Sequence, residues 1–479
     1  MMPNRPARRA PFPGKARIAA RSLSHAIPAL ALLFAPAVRA QDLPAARATL
    51  AELVGINTVQ KNGTRVAAQA VIRRLRAAGF PDSDIRLLAP DAAPDQANVV
   101  VRLRGKGAGK PVLFLAHLDV VEALPQDWTH DPFTLTEADG WYYGRGTMDI
   151  KGEVAAILTA LIRLKQEGFV PERDIIVAFT ADEEVTDYDG VDFLLKTHRG
   201  LIDAGLVLNA DAGGGTIRDG RRLFYGFQTS EKIYAAFEVE ATNPGGHSSV
   251  PRPDNAIYRL AHALERIEGL RFPVHLTDTT RAYFTRTAAL EQGQTAIDMR
   301  AVARSADRQA ADRLSMNPER NANLRTTCVA TQLSGGHAEN ALPQRAKATV
   351  QCRVIPGERI EEVKAALAEA IGDPGIALTE IRPVVPSPES PPTPEVTALF
   401  TQTVQSMWPG LTVMPVMDTG GSDSVYTRAA GMPTYGAMSI FYDPDDIRAH
   451  GRDERISVRA FAEGVEFTYR LMKAAALMR

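Results

Sequence analysis

Cysteine is almost missing from this chain: Cys328 and Cys352 are the two in 479 residues. Neither has a Cys or His partner at ligand spacing, so neither is read as a metal ligand. An excess of one charge is missing as well, with Lys plus Arg at 55 and Asp plus Glu at 56. Neither a basic nucleic-acid face nor an acidic solvating tail is expected from that balance. Past the leader, no run is long and apolar enough to span a bilayer. The nucleophile elbow G-x-S-x-G is absent, which counts against a serine hydrolase. Internal repeats are absent too, and the one low-complexity tract is the proline-rich PVVPSPESPPTPE.

What is present is an ordinary globular mix, 45% hydrophobic and 23% charged. The length exceeds one compact core, so two or more domains are expected. The leader differs from the rest. Arg5, Arg8, Arg9, Lys15, Arg17 and Arg21 precede the apolar run AIPALALLFAPAV, and no acid interrupts them. Val38 and Ala40 suit cleavage before Gln41. Residues 1–40 read as a signal peptide, and the protein as exported to a periplasm, with no membrane contact after processing. An uncleaved anchor is the alternative. The two cysteines sit in strand-like runs, TTCVAT and ATVQCRV. A hairpin centred near Asn340 would set them face to face. A disulfide and two buried thiols both remain open.

Helical patterns at LPAARATLAELVG and TRVAAQAVIRRLRAAGF precede strand-like NVVVRLRG and PVLFLAHL. Val154, Ile157, Leu161 and Leu164 repeat at helical spacing, and the strands DIIVAFTA and GLVLNAD follow. Apolar strands alternating with amphipathic helices indicate an α/β domain with a mostly parallel sheet. Near Ser230 the pattern changes. KIYAAFEVEAT alternates like a half-exposed antiparallel strand. A helix from about Pro253 to Glu268, a polar irregular stretch to about Asn323, two cysteine-bearing strands, a second helix and a last strand follow. These suggest an α+β sandwich. The proline-rich tract reads as a hinge back to α/β character. The expected division is 41–229, an insertion at 230–385, and 386–479.

Metal-loving side chains gather after the strands, where α/β sheets place function. His117 ends PVLFLAHL. Asp119, two residues on, points the same way and can hold its ring. Asp149 in GRGTMDIKG can bridge two ions, or merely cap a helix. Glu183 and Glu184 can divide the work of ligand and base, since neighbouring side chains diverge; a solvated acidic loop is the bland alternative. Asp211 is a further carboxylate and His450 a second imidazole. In the insertion, His247 lies in a glycine-flanked turn and can donate to an oxyanion. Asn340 and Arg353 are polar groups able to hold substrate, the guanidinium as a two-pronged carboxylate clamp.

The ordered set HLDVV, W-x-x-D-P-F, GRGTMDIKG, ADEE, GGHSSVP, NALP, R-x-x-P-G and HGRDERI resembles the M20 metallopeptidase family. The likeness runs from about residue 45 to the C-terminus. It implies a zinc-exopeptidase-like domain with an inserted ferredoxin-like lid and dimerisation domain. It implies one ion on His117, Asp149 and Asp211 and another on Asp149, Glu184 and His450, with zinc foremost and cobalt or manganese also suited. It makes Glu183 the base and Asp119 the support of His117. His247 becomes an oxyanion donor, often supplied across a homodimer, and Asn340 and Arg353 become substrate contacts. A cis peptide after Asp149 is also implied. Two departures stand out: Gly is delayed to position 190 after the acidic pair, and Asp211 in NADAGGG replaces the usual Glu. The expected activity is hydrolysis of an amide in a small peptide or N-acyl amino acid. A binding paralogue without turnover is the alternative.

Overall fold

The computed structural model describes residues 42–478, so the leader read at 1–40 lies outside the described residues. A ten-stranded mixed sheet forms the frame. Its centre is parallel, in the order Ile175–Thr180, Val112–His117, Leu206–Asn209 and Thr434–Gly436. Antiparallel strands flank it on both sides. The central strands are buried on both faces, which explains their continuous apolar runs. Alternate residues go to opposite cores. Phe114, Val177 and Leu208 pack with the helices Arg65–Ala77, Lys151–Gln166 and Val458–Leu477. Leu113, Ile176 and Val207 pack with Gly190–Ile202. This is the period of two that a strand imposes.

A second sheet is wholly antiparallel, in the order Thr327–Gly335, Arg345–Val354, Ile233–Thr242 and Ile376–Glu380. Ala235, Phe237 and Val239 point to its buried face, where Ala256–Gly269 and Ile360–Ile371 supply Leu260 and Leu367. The chain thus has an α/β unit and, as expected, an α+β insertion. Cys328 and Cys352 stand directly opposite in neighbouring strands and are joined in a disulfide.

The stretch read as irregular before Asn323 is helical. Asp278–Thr287, Gly293–Ser305, Arg308–Leu314 and Pro318–Leu324 enclose a small core of Phe284, Met299, Val302 and Leu314. These helices run 7 to 13 residues and are rich in Thr and Arg, so no long apolar stripe announced them. Caps do the work instead. Thr277 and Thr280 form a reciprocal capping box, and Asp307 and Asn317 accept from the first turns of the next helices. The proline-rich return is coil but is fastened down: Ser390 N donates to Thr229 O at 2.8 Å, and Ser387 is buried against Glu231.

Candidate metal centre

Three neighbouring parallel strands place the site. His117 is the last residue of its strand, Glu183 and Glu184 follow Thr180, and Asp211 follows Asn209. Because the strands run in register, these side chains converge at one edge. Asp149 arrives from the loop before the helix Lys151–Gln166, and His450 from the loop before Arg455–Ser457. Asp149 is not the helix cap; Ile150 holds that place. The Asp149–Ile150 peptide is cis, as the resemblance implied.

Asp149 is the hub. Its Oδ1 lies 3.1 Å from His117 Nε2, and its Oδ2 lies 3.1 Å from His450 Nε2. His117 Nε2 also faces Asp211 Oδ1 at 3.8 Å, and His450 Nε2 faces Glu184 Oε2 at 2.9 Å. Two sets can hold a metal: His117 with Asp149 and Glu184, and His117 with Glu183 and Asp211, the ligand atoms of each set within 4.8 Å of one another. The acidic pair therefore diverges, one carboxylate to each side. Glu183 comes close enough to count among the donors, so proximity alone does not separate base from ligand.

Asp119 lies against the His117 ring through its backbone and its side chain. His117 Nδ1 lies 3.1 Å from the Asp119 carbonyl oxygen and 3.6 Å from its carboxylate. That carbonyl is an acceptor for an Nδ1 proton, which leaves Nε2 for the carboxylate side. The Asp119 carboxylate also accepts the backbone N–H groups of Glu183, at 3.2 Å, and Glu184, at 3.0 Å. One residue thus orients both an imidazole and the acidic loop.

The electrostatics suit a cation. Burial pushes Asp211 up to about 7, against the pull of His117. Withdrawal from water and the nearby Asp211 charge drive Glu183 well above the usual range, and burial raises Glu184. Hydrogen bonds to Asp149 and Glu184 lift His450 to about 10. Crowded carboxylates that resist ionisation and imidazoles that hold protons are what a bound cation would relieve. Glu184 Oε1 is buried without a hydrogen-bond partner, while its Oε2 faces His450.

Two contributors were missed in the sequence. Glu454 is fully buried and accepts from Gly146 N, Met148 N, Asp149 N and Arg145 Nη1, at 2.7 to 3.0 Å. It clamps the loop that presents Asp149. Its place in HGRDERI was the signal. Arg382 lines the same 390 Å³ cavity as Glu183, Glu184 and Arg353, and donates across to Thr186 of the acidic loop. Arg353 lines that cavity beside Glu183 and Glu184, with its guanidinium over the Tyr234 ring at 5.1 Å. His247 and Asn340 are not brought there. They sit together on an exposed ribbon, Gly246–His247 paired with Ala341–Leu342, where Ser248 N donates to Asn340 O at 3.1 Å. Neither lines the described cavities beside the cluster.

The model of peptidase family M20/M25/M40 matches residues 113–474. The chain belongs to that family. Among M20 relatives, human N-fatty-acyl-amino acid synthase/hydrolase PM20D1 is 30% identical over 376 residues, 76% of this chain and 74% of that one. Human aminoacylase-1 is 28% identical over 373 residues, 76% and 80% of the two chains. The M20 family metallo-carboxypeptidase Sso-CP2 from Sulfolobus solfataricus superposes with a TM-score of 0.68 at 18% identity, covering 90% of this chain and 99% of its own. That likeness carries the M20 fold.

Proposed function

We propose that this chain is a two-metal amidase acting on substrates with a free carboxylate, N-acyl amino acids or small peptides. One observation carries the reading: two imidazoles and three carboxylates converge about Asp149, while Glu183 and two guanidiniums face the adjoining cavity. The relatives' names, an N-acyl amino acid hydrolase, an aminoacylase and a carboxypeptidase, support the substrate class. A non-catalytic paralogue would be expected to lack a donor or the base, and here each position is filled.

His117, Asp149 and Asp211 would hold one ion, and Asp149, Glu184 and His450 the other. Zinc is our assignment, since imidazole and carboxylate donors suit it; cobalt and manganese fit the same set. Bound there, a pair of divalent ions supplies Lewis acidity and acidifies water. The chain's own residues do the rest. Glu183 takes a proton from the water that adds to the amide carbonyl carbon. The C–N bond then breaks, and Glu183 returns that proton to the leaving nitrogen. The products are a carboxylic acid and an amine. Arg353 and Arg382 hold the substrate carboxylate.

His247 and Asn340 lie on the lid, exposed, so we assign them to the active site of a second copy. The edge strand Thr327–Gly335 is unpaired on one side, and Leu333 on it is 71% exposed. Val329, Val250 and Tyr258 are exposed as well. An open edge with apolar side chains favours a homodimer. The disulfide and the basic leader support export to an oxidising compartment.

A panel of N-acyl amino acids and dipeptides, assayed for amine release with and without chelator, tests the reading. Release abolished by chelation and restored by zinc is expected. Release indifferent to chelation, or none from zinc-loaded protein, contradicts it.

A further inference from the structure

A separate cavity of 320 Å³ is walled in part by the two loops that shape the metal centre. Met148 lines it from the loop that presents Asp149. Asp446 and Arg448 line it from just before His450, and Arg455 and Ile456 from just after Glu454. Four guanidiniums meet there on two carboxylates. Arg222 and Arg459 take the two oxygens of Glu463, and Arg448 and Arg455 take the two of Asp446. Asp443, the third acid of the lining, accepts from Asp445 N. One positive charge is left over. The surplus is clearest at Arg222 and Arg455. Their side chains are 21% and 16% exposed, and each has its Nε–H buried without an acceptor. A buried donor left unpaired is costly. Arg455 lies over Trp141 at 4.0 Å and Arg222 over Phe441 at 5.1 Å. Stacking covers the guanidinium faces and leaves the N–H edges for an acceptor. The first turn of the helix Val458–Leu477 forms another wall and carries no acid, so its dipole also favours an anion. Ile217, Ile440 and Ile456 make the remaining lining apolar. A phosphate or sulfate would press its further oxygens against those side chains. A carboxylate sets two oxygens on guanidinium and its carbon body on the apolar wall.

We propose that this cavity is an effector site for a compact monocarboxylate with an apolar body, and that the bound anion braces the segment delivering His450. That segment needs a brace. His450 and Asp453 hold φ of 62° and 52°, in the left-handed region that side chains disfavour. Asp446 ties its two ends by holding Arg448 and Arg455 at once. A carboxylate shared by Arg455 and Arg222 adds a tie to the strand Arg221–Glu231. Glu454, the neighbour of Arg455, clamps the Asp149 loop, so the brace reaches both sides of the metal centre. The site holds no part of the amide substrate, and anion binding there does not depend on the amidase reading. The bracing rests on His450 as a metal ligand.

Zinc-loaded protein is titrated by calorimetry with 3-phenylpropionate, with 3-phenylpropan-1-ol and with acetate. Saturable binding of 3-phenylpropionate is expected, with the alcohol and acetate each roughly tenfold weaker or worse. Arg222→Met keeps an apolar stem over Phe441 and removes the charge; Ala460→Phe fills the cavity. Each should weaken binding about tenfold or more, while Arg353→Met leaves it unchanged. The bound probe should slow hydrogen exchange in residues 443–457 and zinc loss to a chelator by about threefold or more, and neither effect should survive Arg222→Met. No saturable binding, equal affinity for the alcohol, or unchanged affinity in both folded cavity variants overturns the site. Affinity lost in Arg353→Met places the probe under the lid and overturns it as well. Binding that leaves exchange at 443–457 or zinc loss unchanged overturns the bracing. Failure of amide release from the substrate panel, with these bindings intact, strikes the amidase reading alone.

Discussion

Glu454 is the residue on which the cluster's geometry leans most. It holds three backbone N–H groups and one guanidinium while fully buried. Glu454→Gln turns one oxygen into a donor facing donors and leaves Arg145 without its charge partner. A loss of about 3–5 kcal/mol in chemical denaturation is expected, and zinc affinity should fall roughly 10–100-fold. An unchanged midpoint and affinity would remove that role. Glu183→Gln should instead keep both ions and lose roughly two to four powers of ten in kcat, the usual worth of acid–base help. Loss of metal from that variant would make Glu183 a ligand. Glu153 offers a pH test. Its Oε1 accepts twice from Ser439 while Oε2 has no partner, and burial pushes the carboxyl up to about 7. The unfolded chain releases this proton near 4.5. Between the two values only the folded state keeps it, so stability falls as pH rises from about 4.5 to about 7 and stays lower above. Relative to the parent, chelated Glu153→Gln should gain about 3 kcal/mol between roughly pH 5 and pH 8. A flat difference contradicts this. His117, Glu183, Glu184 and Asp211 were legible because each follows an apolar strand. Glu454 was not, because its partners lie some 300 positions away.

At the scale of elements, register explains both success and failure. The strands pair about Asn340 and set Cys328 opposite Cys352, which resolves the choice between a disulfide and two thiols that the sequence left open. The bulge between Ala330 and Gln332 left the pairing of the cysteines untouched. The helices from Asp278 to Leu324 escaped notice because capping, not apolar spacing, delimits them. The disulfide closes a segment of sequence separation 24 within the lid. Its reduction should cost about 3 kcal/mol of local stability there. Hydrogen exchange in residues 327–354 should accelerate on reduction while the parallel strands keep their protection. Uniform protection in both states would assign the bridge no such part.

For the whole molecule, the parallel strands bring the donors together while the lid brings the guanidiniums. His247 and Asn340 are exposed and line neither cavity beside their own cluster. Mixing His247→Ala with Glu183→Ala chains should therefore restore part of the activity through hybrid dimers carrying one intact site. No recovery after demonstrated subunit exchange would argue for a site built in one chain. The central claim is that Asp149 is shared between two ions. Zinc content after equilibrium dialysis, for the parent and for folded Asp149→Ala, tests it most directly. About two ions per chain in the parent, with both lost or weakened together in the variant, is the expected result. A single ion in the parent, or an Asp149→Ala protein that still holds two, would contradict it.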